Sequence, residues 1–155
     1  MKWPWGKKAA AEKHLREQVA ARLEATADWF DQPGHEWGRY SFAQSGRSDG
    51  KTWTRSCVMG AMYQVSGAET LPGGGGFVGG QMHPVDQDEV FQVASIELRR
   101  CIEPGWRPHE DLSRESQAST AQTGIFAWND GLEQQGKANV QQMLRGCARR
   151  LRGQS

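Results

Sequence analysis

The sequence predicts an all-α, single-domain bundle of about four main helices, and three observations carry that expectation. Apolar residues recur at three- and four-residue spacing in four separate segments, each segment is bounded by a cap or a breaker, and 155 residues suit one domain. A chain of this length buries roughly two thirds of the surface it exposes when unfolded, enough for a sizeable core.

The first helix is expected over residues 9–31, after an N-terminal tail of residues 1–8, with domain boundaries at 9–152. Leu15, Val19, Leu23, Thr26, Ala27 and Phe30 share one face, and Pro33-Gly34 ends the run. Residues 35–51 are polar and Gly-rich and read as a loop with some short β character around Trp37, Tyr40 and Phe42, and Ser48-Asp49-Gly50 is a turn signal. A second helix follows from Thr52 or Thr54 as N-cap to about Val65, with Cys57, Val58, Ala61, Met62 and Val65 on its stripe. Ser66-Gly67 stops it, and Gly60 with Ala61 leaves room for a close neighbouring helix.

Residues 71–83 carry Gly73 to Gly76 and Gly79-Gly80, which formally satisfy G-x-G-x-x-G. A phosphate-binding fingerprint needs a strand before it and a helix opening within it, whereas Pro72 precedes this run and Pro84 follows it. The segment reads as a flexible connector. Asp86 and Glu89 then resemble a capping box for a third helix, whose face is Val90, Phe91, Ala94, Leu98, Cys101 and Ile102 and which ends before Pro104. Residues 104–124 form a polar stretch without a clear apolar period and read as a mobile flap or a segment ordered by a partner. The last helix starts with Asn139 as cap and Gln142 at the third position, and buries Val140, Met143, Leu144, Cys147 and Leu151.

Charge narrows the function. Nineteen Lys and Arg against eighteen Asp and Glu leave a net charge of +1, so no global field draws the chain to polyanions. No apolar run reaches the roughly 18 residues of a membrane span and no secretory leader is evident, which predicts a cytoplasmic protein. Cys57, Cys101 and Cys147 are odd in number, far apart and without a C-x-x-C pair, so they read as small buried hydrophobes rather than a disulfide framework. His83, Asp86, Asp88 and Glu89 are ligand types, but the cap accounts for two of the acids and the register is irregular, so no metal and no cofactor are assigned.

Two strings stand out: Cys57-Val58-Met59-Gly60-Ala61-Met62, and Phe126-Ala127-Trp128-Asn129-Asp130 ahead of the Val140 to Leu151 helix. With Trp37 upstream, the C-x-x-G-A and W-N-D motifs resemble an uncharacterised family of small proteins found in actinobacteria and their phages. The likeness spans roughly Leu15 to Leu151 and departs at the Gly-rich segment, at residues 104–124 and after Asp130. It implies kinship of fold and a phage or actinobacterial origin, and it brings no activity.

Three functions compete. Seven Trp, several at element boundaries, favour a non-enzymatic protein that binds another macromolecule, in this setting a phage-encoded modulator of a host protein, through Trp37, Tyr40, Trp106 and His109. A cysteine hydrolase needs Cys57 activated at a helix start, a base among His35, His83 and His109, and Asn129 or Asp130 as orienter. Nucleic-acid binding needs the basic helix, with Arg145, Arg149, Arg150 and Arg152, as a phosphate footprint.

Overall fold

A computed structural model describes residues 4–67, 84–131 and 136–154. Among them are five α-helices and a three-stranded mixed sheet, so the chain is α+β and not an all-α bundle. The helices are α1 (Pro4–Trp29), α2 (Val58–Val65), α3 (Glu89–Ile102), α4 (Arg114–Asp130) and α5 (Lys137–Leu151). The strands are β1 (His35–Trp37), β2 (Gln44–Ser48) and β3 (Lys51–Ser56). The Gly-rich segment 71–83, with His83, lies outside the described residues.

The sheet replaces both the predicted loop and the predicted start of the second helix. Asp49 and Gly50 take φ of 52° and 75°. Two left-handed residues in succession make the tight hairpin turn whose twist suits the strands, and Ser48 pairs with Lys51 across it. Thr52 and Thr54 are therefore strand residues, in keeping with their β-branching, and cap nothing. β3 is central: β2 runs antiparallel on one side, and β1 pairs in parallel on the other, with Trp37 beside Ser56.

Four further boundaries differ from expectation. Helix α1 begins at Pro4, a residue suited to a first turn, so residues 4–8 belong to the helix and not to a tail. Helix α3 is capped by Asp88, whose carboxylate accepts from the Phe91 N–H at 3.3 Å, because Pro84–Gln87 forms a 3-10 turn that uses up Asp86. Helix α4 occupies the second half of the predicted flap. Ser113 caps it, and its buried stripe of Ala118, Ala121 and Ile125 lies against α3. Helix α5 starts at Gly136–Lys137, which leaves Asn139 inside the helix instead of at its cap.

The helical faces read from the sequence are the faces that pack. Helix α1 buries Val19, Leu23, Thr26, Ala27 and Phe30 against α5, α3 and α2. Helix α3 adds Val90, Phe91, Ala94 and Leu98, and α5 adds Val140, Leu144 and Cys147 to the same core. Each large apolar side chain so buried contributes about 1.5–3 kcal/mol. Arg22 joins three elements, donating to Ser66 Oγ at 2.7 Å behind α2 and to Asp88 Oδ2 at 2.8 Å ahead of α3. Gln141 donates to the Ala27 carbonyl at 3.0 Å and to Asp31 at 2.8 Å, which ties α5 to the end of α1. No helix of the described residues is long and apolar enough to cross a membrane.

Candidate functional site

The two sequence motifs meet in space at one buried amide. Asn129, in the last turn of α4, is fully buried, and its Oδ1 accepts from the Trp37 indole N–H at 2.8 Å and from the Val58 N–H at 3.1 Å. Its Nδ2 donates to the Gly38 carbonyl at 3.2 Å and to Asp130 Oδ1 at 2.9 Å. Two donors face the oxygen and two acceptors face the nitrogen, so the amide is satisfied and its orientation is fixed by its neighbours. Asp130 Oδ1 also accepts from the Tyr40 N–H at 2.8 Å. The W-N-D motif thereby holds the segment after β1, and the start of α2, to the end of α4.

The C-x-x-G-A motif supplies the other side of this junction. Cys57 is the N-cap of α2, just ahead of the helix, and its Sγ accepts from the Gly60 N–H at 3.4 Å. Gly60 is required because a Cβ there would lie 1.6 Å from the Phe42 carbonyl oxygen and 2.2 Å from Ser56 Oγ. What approaches α2 closely is thus the chain entering β2, not another helix.

A thiol at a helix start gains from the positive end of the dipole, but burial counts for more here. Desolvation, aided by the Asp130 carboxylate, pushes the Cys57 thiol up to about 11 against the pull of the backbone N–H groups. At neutral pH it stays protonated and is 2% exposed. Among the described residues no histidine bonds to it: His35 stacks on Trp29 with Nδ1 2.6 Å from the Trp29 carbonyl, and His109 is exposed beside Asp111. The described contacts of Cys57, Asn129 and Asp130 are those of a packing and capping junction, and His83 lies outside the described residues.

The predicted partner-binding residues divide by role. Trp37 is half-buried and committed to Asn129, and Trp106 covers Ile96, Ala118 and Ala121 with the Arg99 guanidinium 5.0 Å above its ring. Tyr40, 80% exposed with φ of 54°, and His109 face outward. Asp86, Asp88 and Glu89 are occupied singly, by Tyr63, by Arg22 with the Phe91 N–H, and by Arg114. No cluster of three metal-ligating side chains occurs among the described residues.

The basic helix is split between two sides. Arg145 pairs with Asp28 and Asp31 at 3.1 and 3.0 Å, and Arg152 pairs with Glu17 and Glu24, so both are neutralised against α1. Arg149 and Arg150 instead reach a groove that sequence reasoning missed. One end, a cavity of about 410 Å³, is lined by Arg16, Glu97, Arg100, Arg107 and Arg150. The adjoining cavity of about 530 Å³ shares Arg100, Pro104 and Arg150 and adds Trp128, Met143, Cys101, Cys147 and Arg149. Among the described residues Glu97 is the only carboxylate in either lining, and it holds Arg100 at 2.9 Å and Arg150 at 3.4 Å. Arg16 and Arg149 make no ion pair among the described residues, and Arg107 donates only to the Pro104 and Trp106 carbonyls. The buried Nε of Arg100 has no hydrogen-bond partner. Only the cationic count of α5 hinted at this surface; the other arginines come from α1, α3 and the turn after it.

No curated protein and no solved structure matches the chain. A family model does match, over residues 14–150, which takes in both motifs, the sheet and every helix except the first turns of α1 and the end of α5. The chain belongs to the family described as a family of unknown function, DUF6197.

Proposed function

We propose that this protein is a non-enzymatic binding module that receives the phosphate backbone of a single-stranded nucleic acid in the groove between α3, α5 and the first half of α1. One observation carries the reading: five arginines, Arg16, Arg100, Arg107, Arg149 and Arg150, converge on contiguous cavities that hold a single carboxylate. Guanidinium groups bind phosphate oxygens in forked geometry, and Trp128 beside them offers an aromatic face of the kind on which bases stack. The setting we assign is the cytoplasm of a bacterium, in line with the resemblance to small actinobacterial and phage proteins.

The test is fluorescence anisotropy of a short labelled DNA strand across a salt series. We expect low-micromolar binding at low salt that weakens as salt rises, with the slope reduced by about 0.7 for each phosphate contact removed. Arg16→Gln with Arg107→Gln spares every carboxylate pair and should weaken binding at least several-fold. Absence of binding at low salt, or binding that the double variant leaves unchanged, overturns the reading.

A protein partner is a second reading, favoured by Tyr40. Its exposed ring is held out by a left-handed backbone, which for a non-Gly residue persists only where neighbours enforce it, here through Asp130. Tyr40→Ala should abolish capture of a partner from lysate of the native host while leaving the thermal midpoint within a few degrees. Unchanged capture removes Tyr40 from the interface.

A further inference from the structure

Beneath the arginine groove lie two thiols that nothing described so far uses. Cys101, in the last turn of α3, and Cys147, in the middle of α5, line the same cavity, and the Cys147 sulfur lies 3.5 Å from the carbonyl of Glu97, one turn before Cys101 on α3. Cys147 is 2% exposed, whereas Cys101 is half-buried and open to the cavity. The Cys147 thiol donates to that Glu97 carbonyl. Arg150, whose charge lies beside both, is anchored by Glu97.

We propose that Cys101 and Cys147 form a dithiol site, oxidised by a low-molecular-weight disulfide to an intramolecular bridge between α3 and α5. This inference stands apart from the ligand reading, since it needs only the two sulfurs and access through the cavity. The neighbouring Cys147 thiol and then the Arg150 charge hold the Cys101 thiol below its usual range against desolvation, while the Cys101 thiol and burial push the Cys147 thiol up. The half-buried Cys101 is the sulfur a disulfide can reach and attacks first, and Cys147, 2% exposed, resolves.

The steps balance. The Cys101 thiolate attacks one sulfur of oxidised glutathione, a new S–S bond forms, the glutathione disulfide bond breaks and one glutathione thiolate leaves. Cys147 then loses its proton to solvent and attacks the Cys101 sulfur, and the second glutathione thiolate departs. Two protein thiols are oxidised and one small disulfide is reduced to two thiols. Cys57 takes no part, being buried in the separate junction with α2.

The experiment treats the full chain with oxidised glutathione at neutral pH, quenches with acid, and reads intact mass and the disulfide map. The wild type should lose two hydrogens, carry no adduct, and join the Cys101 and Cys147 peptides. Cys147→Ser should stop at a stable glutathione adduct on Cys101, and Cys101→Ser should give neither bridge nor adduct, with far-UV circular dichroism reporting that each variant folds. A wild type that retains glutathione on Cys101, reacts at neither thiol, or bridges through Cys57 overturns the proposal. The wild-type map decides the matter even where a variant fails to fold.

Discussion

Asn129→Ala is the sharpest perturbation the fold offers, because one side chain closes three hydrogen bonds to segments distant in sequence and a fourth to the adjacent Asp130. Truncation leaves the Val58 N–H and the Gly38 carbonyl buried without partners, each costing about 1–3 kcal/mol. The Trp37 indole is half-exposed and recovers a water, so it adds little. The expected loss is about 2–5 kcal/mol, a large part of a stability that for one domain is about 5–15 kcal/mol. Urea unfolding followed by tryptophan fluorescence measures it from the midpoint at unchanged slope. Trp37→Phe removes a single donor and should cost about 1 kcal/mol, and the double variant should lose less than the sum, since both act through one bond. A loss below about 0.5 kcal/mol for Asn129→Ala, or strict additivity with Trp37→Phe, would refute the claim that this amide holds the junction.

Other outcomes follow from the same structure. Gly60→Ala drives a methyl into the Phe42 carbonyl and should destabilise the fold by about 3 kcal/mol or more, visible as a large fall in thermal midpoint; a near-native melt removes the close approach. Cys57 has its folded value raised to about 11. Its contribution is therefore whole below the unfolded value near 8.5 and is lost as pH rises from there toward 11, by up to about 1.4 kcal/mol per pH unit. Urea midpoints between pH 8 and 10 should fall less steeply in Cys57→Ala than in the wild type, and parallel slopes would sink the assignment. Asp31 is held below the usual carboxylate range by Gln141 and then Arg145. Its stabilisation is present above the unfolded value and lost as pH falls, so Asp31→Asn should lower the thermal midpoint at neutral pH and converge with the wild type in acid.

Helical faces were legible wherever large apolar residues set the period. Val19, Leu23 and Phe30, or Phe91, Ala94 and Leu98, mark a stripe that has only one way to bury itself. Helix α4 was hidden because its buried side chains are mostly small: Ala118 and Ala121 suffice where Arg99 and Trp106 close the gap above them, and a stripe of alanines carries little apolar signal. The strands were hidden for another reason. Lys51 to Arg55 are exposed or half-buried on both faces, so no alternation betrays the sheet, and two threonines before an apolar run imitate a helix cap. The Asp49-Gly50 turn was visible, yet a turn signal alone does not name the elements it joins.

The candidate surface was less legible than the fold, and the cause is physical. Asn129, Asp130 and Cys57 look chemical in sequence because amides, carboxylates and thiols do chemistry. Buried at a junction of three segments, the same groups do what the backbone demands, which is to satisfy N–H and C=O groups that no helix or strand can reach. The arginines look like solvated surface in sequence because the acids elsewhere in the chain nearly balance them, nineteen cations against eighteen carboxylates. Only folding sorts them, since Arg145 and Arg152 meet carboxylates of α1 and the turn after it, while Arg16, Arg107 and Arg149 meet none among the described residues. A motif that looks chemical in sequence can therefore mark the lock of a fold, while the cationic surface is set by which charges the packing leaves unpaired. In this chain Arg149, without an ion pair among the described residues, lines the cavity of Cys101 and Cys147, while Arg16 and Arg107 line the adjoining one.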